Sequence, residues 1–237
     1  VHEVLESLSV LPTDTRFKTS LIERFQTAWE KVAGEKGGFS GPDSEAKYKE
    51  RGEAMLRRVM AHPGPLTSLA VKLKQELPYY WLSEEDNLIL CGKIDWLEYL
   101  ESDNAVRILD FKTGKKEEVA DSLQLPIYYL LAHNCQTREV VGLRYWYLAL
   151  DDTPRELPLP DLKKAEALIL KVGKEIKLAR SLERYKCPEG EGGCRSCLPY
   201  EKILRGEAHF VGLDTYQHDV YALPDSPANI LPESTVL

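Results

Sequence analysis

Along the first sixty positions apolar residues return every three or four places. They do so from His2 to about Leu8 and again from Asp14 to Val32, where Phe17, Leu21, Phe25, Ala28, Trp29 and Val32 fall on one helical stripe. Gly34 to Pro42 interrupts this pattern, and Ser44 to Ala61 resumes it as a charged amphipathic helix that stops before Pro63. After Leu66 the rhythm becomes that of strands, over Val71–Leu82, Asn87–Tyr99 and Val106–Phe111. The short polar links Ser83–Asp86 and Glu101–Asn104 suit antiparallel neighbours in one sheet. Asp121 is placed to cap a helix running to about Asn134, and the β-branched and aromatic stretch Val140–Leu150 predicts a further strand. Asp161–Tyr185 predicts a long amphipathic helix, Pro199–Glu207 a short one, and the chain beyond His209 an irregular tail. The pattern predicts an α/β fold with a central mixed β-sheet flanked by helices. One domain is expected over 1–209, with a helical part (1–65), a core (66–185) and a cysteine-containing segment (186–209), followed by a tail (210–237).

Composition narrows this picture. The 237 residues are 43% hydrophobic and 29% charged, the range of a globular protein. No apolar run approaches the roughly 20 residues a membrane helix needs, and no signal-peptide pattern is present, so no membrane association and a cytoplasmic location are expected. The formal charge of −7 excludes a protein that coats nucleic acid by bulk electrostatics, though it leaves room for a local basic groove. Trp29, Trp81, Trp96 and Trp146 are expected in the core or packed on strands, and Cys91 and Cys135 are expected to be small buried residues.

The chemistry is concentrated in two neighbouring segments. Gly92-Lys93-Ile94-Asp95 is followed fifteen residues later by Asp110-Phe111-Lys112-Thr113-Gly114-Lys115. If their strands pair as a hairpin, Asp95 and Asp110 converge and offer the hard oxygen ligands that Mg²⁺ or Mn²⁺ prefers. Lys112, two residues on, projects from the same face of an extended strand. Carboxylates, a divalent ion and an ammonium together can polarise a phosphate, activate water and stabilise the charge that develops in phosphodiester hydrolysis. An isolated D-x-K is weak evidence, since a surface ion pair explains it equally well. Here it belongs to an ordered set that also contains Gln124-Leu125-Pro126-Ile127-Tyr128, with Gln124 and Tyr128 one helical turn apart.

This ordered set resembles the PD-(D/E)XK nuclease superfamily, and within it the RecB/AddB/Cas4-like branch, whose members carry a G-x-x-D strand, a D-[YF]-K-T-G strand turn and a Q-x-x-x-Y helix. The resemblance implies a restriction-endonuclease-like core and metal-dependent deoxyribonuclease activity in DNA repair, recombination or DNA processing. It implies Asp95, Asp110 and the Phe111 carbonyl as metal ligands and Lys112 at the scissile phosphate, with Gln124 and Tyr128 orienting the lysine or contacting DNA. It also implies a histidine ligand on an upstream helix. His2 fits that place, and the glycine that precedes such a histidine would lie before Val1, in an upstream segment. Glu76 is a further candidate for the metal's surroundings, and Lys115, Lys116 and Arg57 are candidates for contact with DNA, together with Arg51 and Arg58.

Cys187, Cys194 and Cys197 follow C-x6-C-x2-C, which supplies three corners of a tetrahedral Zn²⁺ site or an iron–sulfur cluster. The family's cluster proteins place their last cysteine where this chain has Ile203. The fourth ligand is then an upstream residue or His209, or else the thiols stand without a metal. The expected partners are DNA, single-stranded or with free ends, and a helicase subunit or domain. A noncatalytic DNA-binding or helicase-docking module that keeps the nuclease fold is the competing function. A thiol redox protein lacks the strand-to-helix context that Cys194-x2-Cys197 would need.

Overall fold

The computed structural model describes residues 1–223 apart from 40, 74, 76, 119–121, 188, 191–193, 195, 215 and 216. In chain order its elements are α1 (His2–Glu6), α2 (Leu21–Trp29), α3 (Pro42–Ala61), β1 (Tyr79–Ser83), β2 (Leu88–Cys91), β3 (Trp96–Leu100), β4 (Ala105–Lys112), α4 (Gln124–Cys135), β5 (Glu139–Tyr147), β6 (Arg155–Leu157), α5 (Leu162–Ser181), α6 (Leu198–Leu204), β7 (His209–Leu213) and β8 (Asp219–Ala222). Two compact units are formed, one from 1–21 and 55–184, the other from 22–54 and the chain from 185 onward.

The first unit is built on a four-stranded sheet in the order β3-β4-β5-β6. A tight turn joins β3 to β4, so they run antiparallel; α4 crosses between β4 and β5, so these run parallel. The short edge strand β6 returns antiparallel, which makes the sheet mixed, as the sequence pattern predicts. Every residue of β4 except Arg107 is buried, as befits a central strand covered on both faces. On one face Leu97, Val106, Ile108 and Leu143 pack beneath Ala132, Leu125 and Tyr128 of α4. On the other, the rings of Phe111 and Trp146 meet at 6.3 Å and the Arg16 guanidinium lies 5.0 Å above the Trp96 ring.

Several predicted elements are cut shorter by tertiary contacts. The expected helix over Asp14–Val32 is a 3₁₀ turn at Thr13–Thr15 and then α2, because Arg16 is buried and donates to the carbonyls of Leu11, Leu66 and Ser68. Among the described residues of Val71–Leu82 the strand begins at Tyr79, preceded by an isolated bridge between Ala70 and Glu98. Asn87–Tyr99 is divided at Gly92–Asp95, so β1 and β2 form their own two-stranded sheet instead of joining the central one. One face of that ribbon, with Tyr80, Leu82 and Leu90, packs on the helix residues Leu130, Ala165 and Ile169. The other face is left to solvent, which corrects two expectations: Trp81 is 46% exposed instead of packed, and Cys91 is exposed instead of buried. Cys135 is only partly buried. Asp161, where a helix to Tyr185 was expected to begin, caps α5 by accepting from the Lys164 N–H, and the helix ends at Ser181. The proposed cap Asp121 lies outside the described residues.

In the second unit the rings of Phe25, Trp29, Phe39 and Tyr48 form a chain of contacts 5.3 to 5.7 Å apart. Gly52 lets Phe25 lie against α3, where a Cβ would meet its ring at 2.5 Å. Where an irregular tail was expected after His209, β7 and β8 form a hairpin, with Phe210 and Tyr221 edge to face across it.

Candidate active site

Register builds the site. Trp96 of β3 lies opposite Leu109 of β4, so the residue before it, Asp95, arrives beside the next stretch of β4. There its carboxylate accepts the Phe111 N–H at 2.9 Å. Strand alternation then turns Asp110 and Lys112 toward α4 and Phe111 toward the opposite face. Lys112 Nζ lies 2.9 Å from Asp110 Oδ2 and 3.3 Å from Glu118 Oε1, and 4.7 Å over the Tyr145 ring. It also donates to the side-chain oxygen of Gln124, whose amide donates to the Tyr128 hydroxyl at 3.1 Å. From the other side α1 delivers His2. Its Nε2 donates to the Phe111 carbonyl at 2.7 Å and stands 3.5 Å from Asp95 Oδ2.

The group is held away from water, Asp110 being 2% and Lys112 7% exposed. Burial pushes the Asp95 carboxyl up to about 6, with the Glu6 charge adding to it and the Phe111 N–H opposing it. Burial together with the charge of Asp95 pushes Asp110 up to about 7, against the pull of Lys112. The two acids therefore titrate as a pair. Burial also lifts the Tyr128 and Tyr145 hydroxyls far above the usual phenol value, and the nearby acids add to it, so both remain protonated.

Two raised carboxylates beside one another form a site that gains from a cation. Asp110 Oδ2 is buried, and the Lys112 ammonium 2.9 Å away is the charge that faces it. The His2 nitrogen, the Phe111 carbonyl and the Asp95 carboxylate are spaced 2.7 and 3.5 Å apart, bracketing the roughly 3 Å that separates adjacent ligands of an octahedral ion with bonds near 2.1 Å. The donor set therefore fits Mg²⁺ or Mn²⁺ in type. Among the described residues no three His, Cys, Asp or Glu side chains are gathered as a ready-made cage, and it is the Lys112 ammonium that stands as counter-charge to Asp110.

The structure thus brings together His2, Asp95, Asp110, the Phe111 backbone, Lys112, Gln124 and Tyr128. Lys115 and Lys116 are exposed just past the turn after β4, and Arg57 is exposed on α3. Arg58 is drawn into a different task, pairing with Asp152 at 3.1 Å and donating to the Leu148 carbonyl. Glu76 lies outside the described residues. In the second unit, Cys194 and Cys197 bring their sulfurs to 3.6 Å, and the Cys197 N–H draws the Cys194 thiol below its ordinary value.

Three members of the site went unnoticed in the sequence. Glu6 follows His2 by one helical turn and therefore shares its face, a signal that was there to be used. Its carboxylate pairs with Lys93 of the Gly92–Asp95 segment. Glu118 and Tyr145 carry no spacing signal, because a turn brings the first to Lys112 and parallel pairing brings the second opposite Asp110.

Comparison with curated proteins and with solved structures returns no match. A family model, that of the PD-(D/E)XK nuclease superfamily, matches residues 1–202 and so takes in every residue of the site just described. With its mixed central sheet, its flanking helices and its paired acids and lysine at adjoining strands, the chain belongs to the PD-(D/E)XK nuclease superfamily.

Proposed function

We propose that this protein is a metal-dependent deoxyribonuclease of the RecB-like branch that hydrolyses phosphodiester bonds in DNA repair, recombination or processing. The convergence of Asp95, Asp110 and Lys112 in one buried group carries the proposal. Asp95, Asp110, the Phe111 carbonyl and His2 would hold Mg²⁺ or Mn²⁺, which when bound polarises the phosphate and lowers the pKa of water. Lys112 places its ammonium at the phosphate and offsets charge as the bond to the leaving 3′ oxygen breaks. Gln124, itself held by Tyr128, fixes the direction of the lysine. Before a metal binds, His2 donates to the Phe111 carbonyl and so keeps α1 against the end of β4; to hold the ion, Nε2 would give up that hydrogen bond and its proton. Cytoplasmic action beside a helicase completes the proposal; among the described residues no helix is long and apolar enough to cross a membrane.

The cysteine trio would hold Zn²⁺ or an iron–sulfur cluster. The 3.6 Å between the Cys194 and Cys197 sulfurs is close to the roughly 3.8 Å edge of a tetrahedron with 2.3 Å metal–sulfur bonds. Metal analysis and the absorption spectrum of anaerobically purified protein, beside its Cys194→Ser form, test this; protein free of zinc, iron and sulfide removes it.

The nuclease test is cleavage of labelled single- and double-stranded DNA with Mg²⁺, Mn²⁺ or EDTA, comparing the protein with Lys112→Ala and Asp110→Ala. Metal-dependent cutting that both substitutions abolish is expected. Cutting by Asp110→Ala at the parent rate would overturn the mechanism. Tight DNA binding without cleavage under any metal would favour the noncatalytic module.

A further inference from the structure

The Lys112 ammonium has three N–H donors, and three acceptors already surround it: Asp110 Oδ2 at 2.9 Å, Glu118 Oε1 at 3.3 Å and the Gln124 side-chain oxygen. A phosphate oxygen that takes Lys112 must therefore displace one of them. Asp110 is closed off from solvent, and Gln124 is itself held by Tyr128. The Glu118 side chain is 22% exposed and lies in the connection between β4 and α4, so it is the acceptor that a substrate arriving from solvent meets. It is also an anion standing where an anion has to bind.

What holds Glu118 there is a second cluster, which the proposed mechanism does not use. Tyr147 is paired with Lys112 across β4 and β5, and Arg155 with Tyr145 across β5 and β6, so strand register lines them up beside the lysine. The Arg155 guanidinium lies 5.1 Å over the Tyr147 ring. It donates to both Asp151 oxygens, at 2.6 and 2.9 Å, and its other terminal nitrogen donates to Glu117 at 2.7 Å. The Tyr147 hydroxyl accepts the Glu118 N–H at 3.0 Å. Two consecutive residues of the connection are thus tied to β5 and β6, Glu117 by its side chain and Glu118 by its backbone, which leaves the Glu118 carboxylate on Lys112.

Building on the nuclease function proposed above, we propose that Glu118 keeps the place of the scissile phosphate on Lys112 until substrate binds, and that Arg155 is a positioning residue that fixes Glu118 in that place. Between substrates the contact keeps the ammonium paired and correctly directed. When substrate arrives, its phosphate takes the donor and the Glu118 side chain turns out to water, while the ties to Arg155 and Tyr147 hold the backbone for its return. One anion is exchanged for another, so the contact sets how tightly substrate binds and not how fast the bond breaks.

The experiment compares the parent protein with Glu118→Gln, Glu118→Asp, Arg155→Lys and the double variant combining Glu118→Gln with Arg155→Lys. Glu118→Asp keeps the charge but is one methylene short of the lysine; Arg155→Lys keeps the charge but loses the planar fork. The first readout needs neither DNA nor metal: acetylation of Lys112 by acetic anhydride in EDTA, followed by peptide mass spectrometry, with the exposed Lys171 as internal reference. It should rise several-fold in both Glu118 variants and less in Arg155→Lys. The second is steady-state cleavage of DNA with Mg²⁺. There KM should fall roughly 2- to 5-fold in the Glu118 variants, the worth of a partly exposed ion pair, while kcat stays. In the Glu118→Gln background Arg155→Lys should add nothing. Lys112 acetylation unchanged in both Glu118 variants, with cutting still lost in Lys112→Ala, overturns the contact and leaves the nuclease standing. A fall in kcat at constant KM overturns the displacement, because Glu118 then stays on the lysine during the reaction. Parent behaviour in Glu118→Asp beside a lower KM in Glu118→Gln reduces the effect to bulk charge and overturns the proposal. An Arg155→Lys effect that persists in the double variant overturns the role of Arg155. A parent protein that cuts no DNA with any metal removes the nuclease, and the phosphate's place with it.

Discussion

Asp110 is the residue on which the site turns, and its surroundings impose opposite demands on stability and chemistry. Replacing it with Asn removes a buried charge that crowds Asp95, so the metal-free protein should melt higher, while cleavage should fall by at least about 10²-fold. A thermal melt and a cleavage assay on one preparation check both signs. In the proposed mechanism Gln124 acts through Lys112, which it holds by its side-chain oxygen. Gln124→Leu should therefore reduce kcat by roughly 10- to 100-fold, since small misplacements of a reacting group are costly, and leave the Mg²⁺ concentration for half-maximal rate in place. A shift in that concentration would show that Gln124 touches the metal instead.

At the scale of elements, the glycine of the Gly92–Asp95 segment has a packing reason. A Cβ there would meet Leu131 Cδ1 of α4 at 2.9 Å, so β2 can leave its ribbon and reach Asp95 only by passing close over the helix. Gly92→Ala should cost about 1–3 kcal/mol in denaturant unfolding and slow cleavage, because the strain falls on the segment that carries Asp95. Much of the core was legible in sequence for the same local reasons that make it rigid. Val106–Phe111 reads as a buried strand and is one; Lys112 two places after Asp110 shares its face; Gln124 and Tyr128 share a helical turn. What stayed hidden depends on distant partners. Arg16 ends a helical pattern by burying itself against three carbonyls, and Glu118 reaches Lys112 through a turn that no periodicity announces. Trp81 has the composition of a core residue, and only the pairing of β1 with β2 in a separate ribbon places it at the surface.

Across the whole molecule, the raised acids tie folding to pH. Asp95 near 6 and Asp110 near 7 bind protons more tightly in the folded chain than in the unfolded one, where carboxylates titrate near 4. Their contribution therefore favours the folded state below about pH 4 to 6 and turns against it as pH rises through 6 and 7. The metal-free protein should lose on the order of 2 kcal/mol relative to Asp110→Asn between pH 5.5 and 8. Mg²⁺ should restore stability more at pH 8 than at pH 6, because protons and metal compete for the same oxygens. Melting curves with and without Mg²⁺ at the two pH values decide it. The position between the two letters of the Asp-x-Lys strand behaves differently from its neighbours. Phe111 gives the site its N–H and its carbonyl, which Asp95 and His2 take, while its ring meets both Trp146 and the His2 ring, each with centroids 6.3 Å away. The backbone at 111 serves the site whatever the side chain, but the ring steadies His2, so selection can exchange one aromatic residue for another there more freely than an aromatic for an aliphatic one.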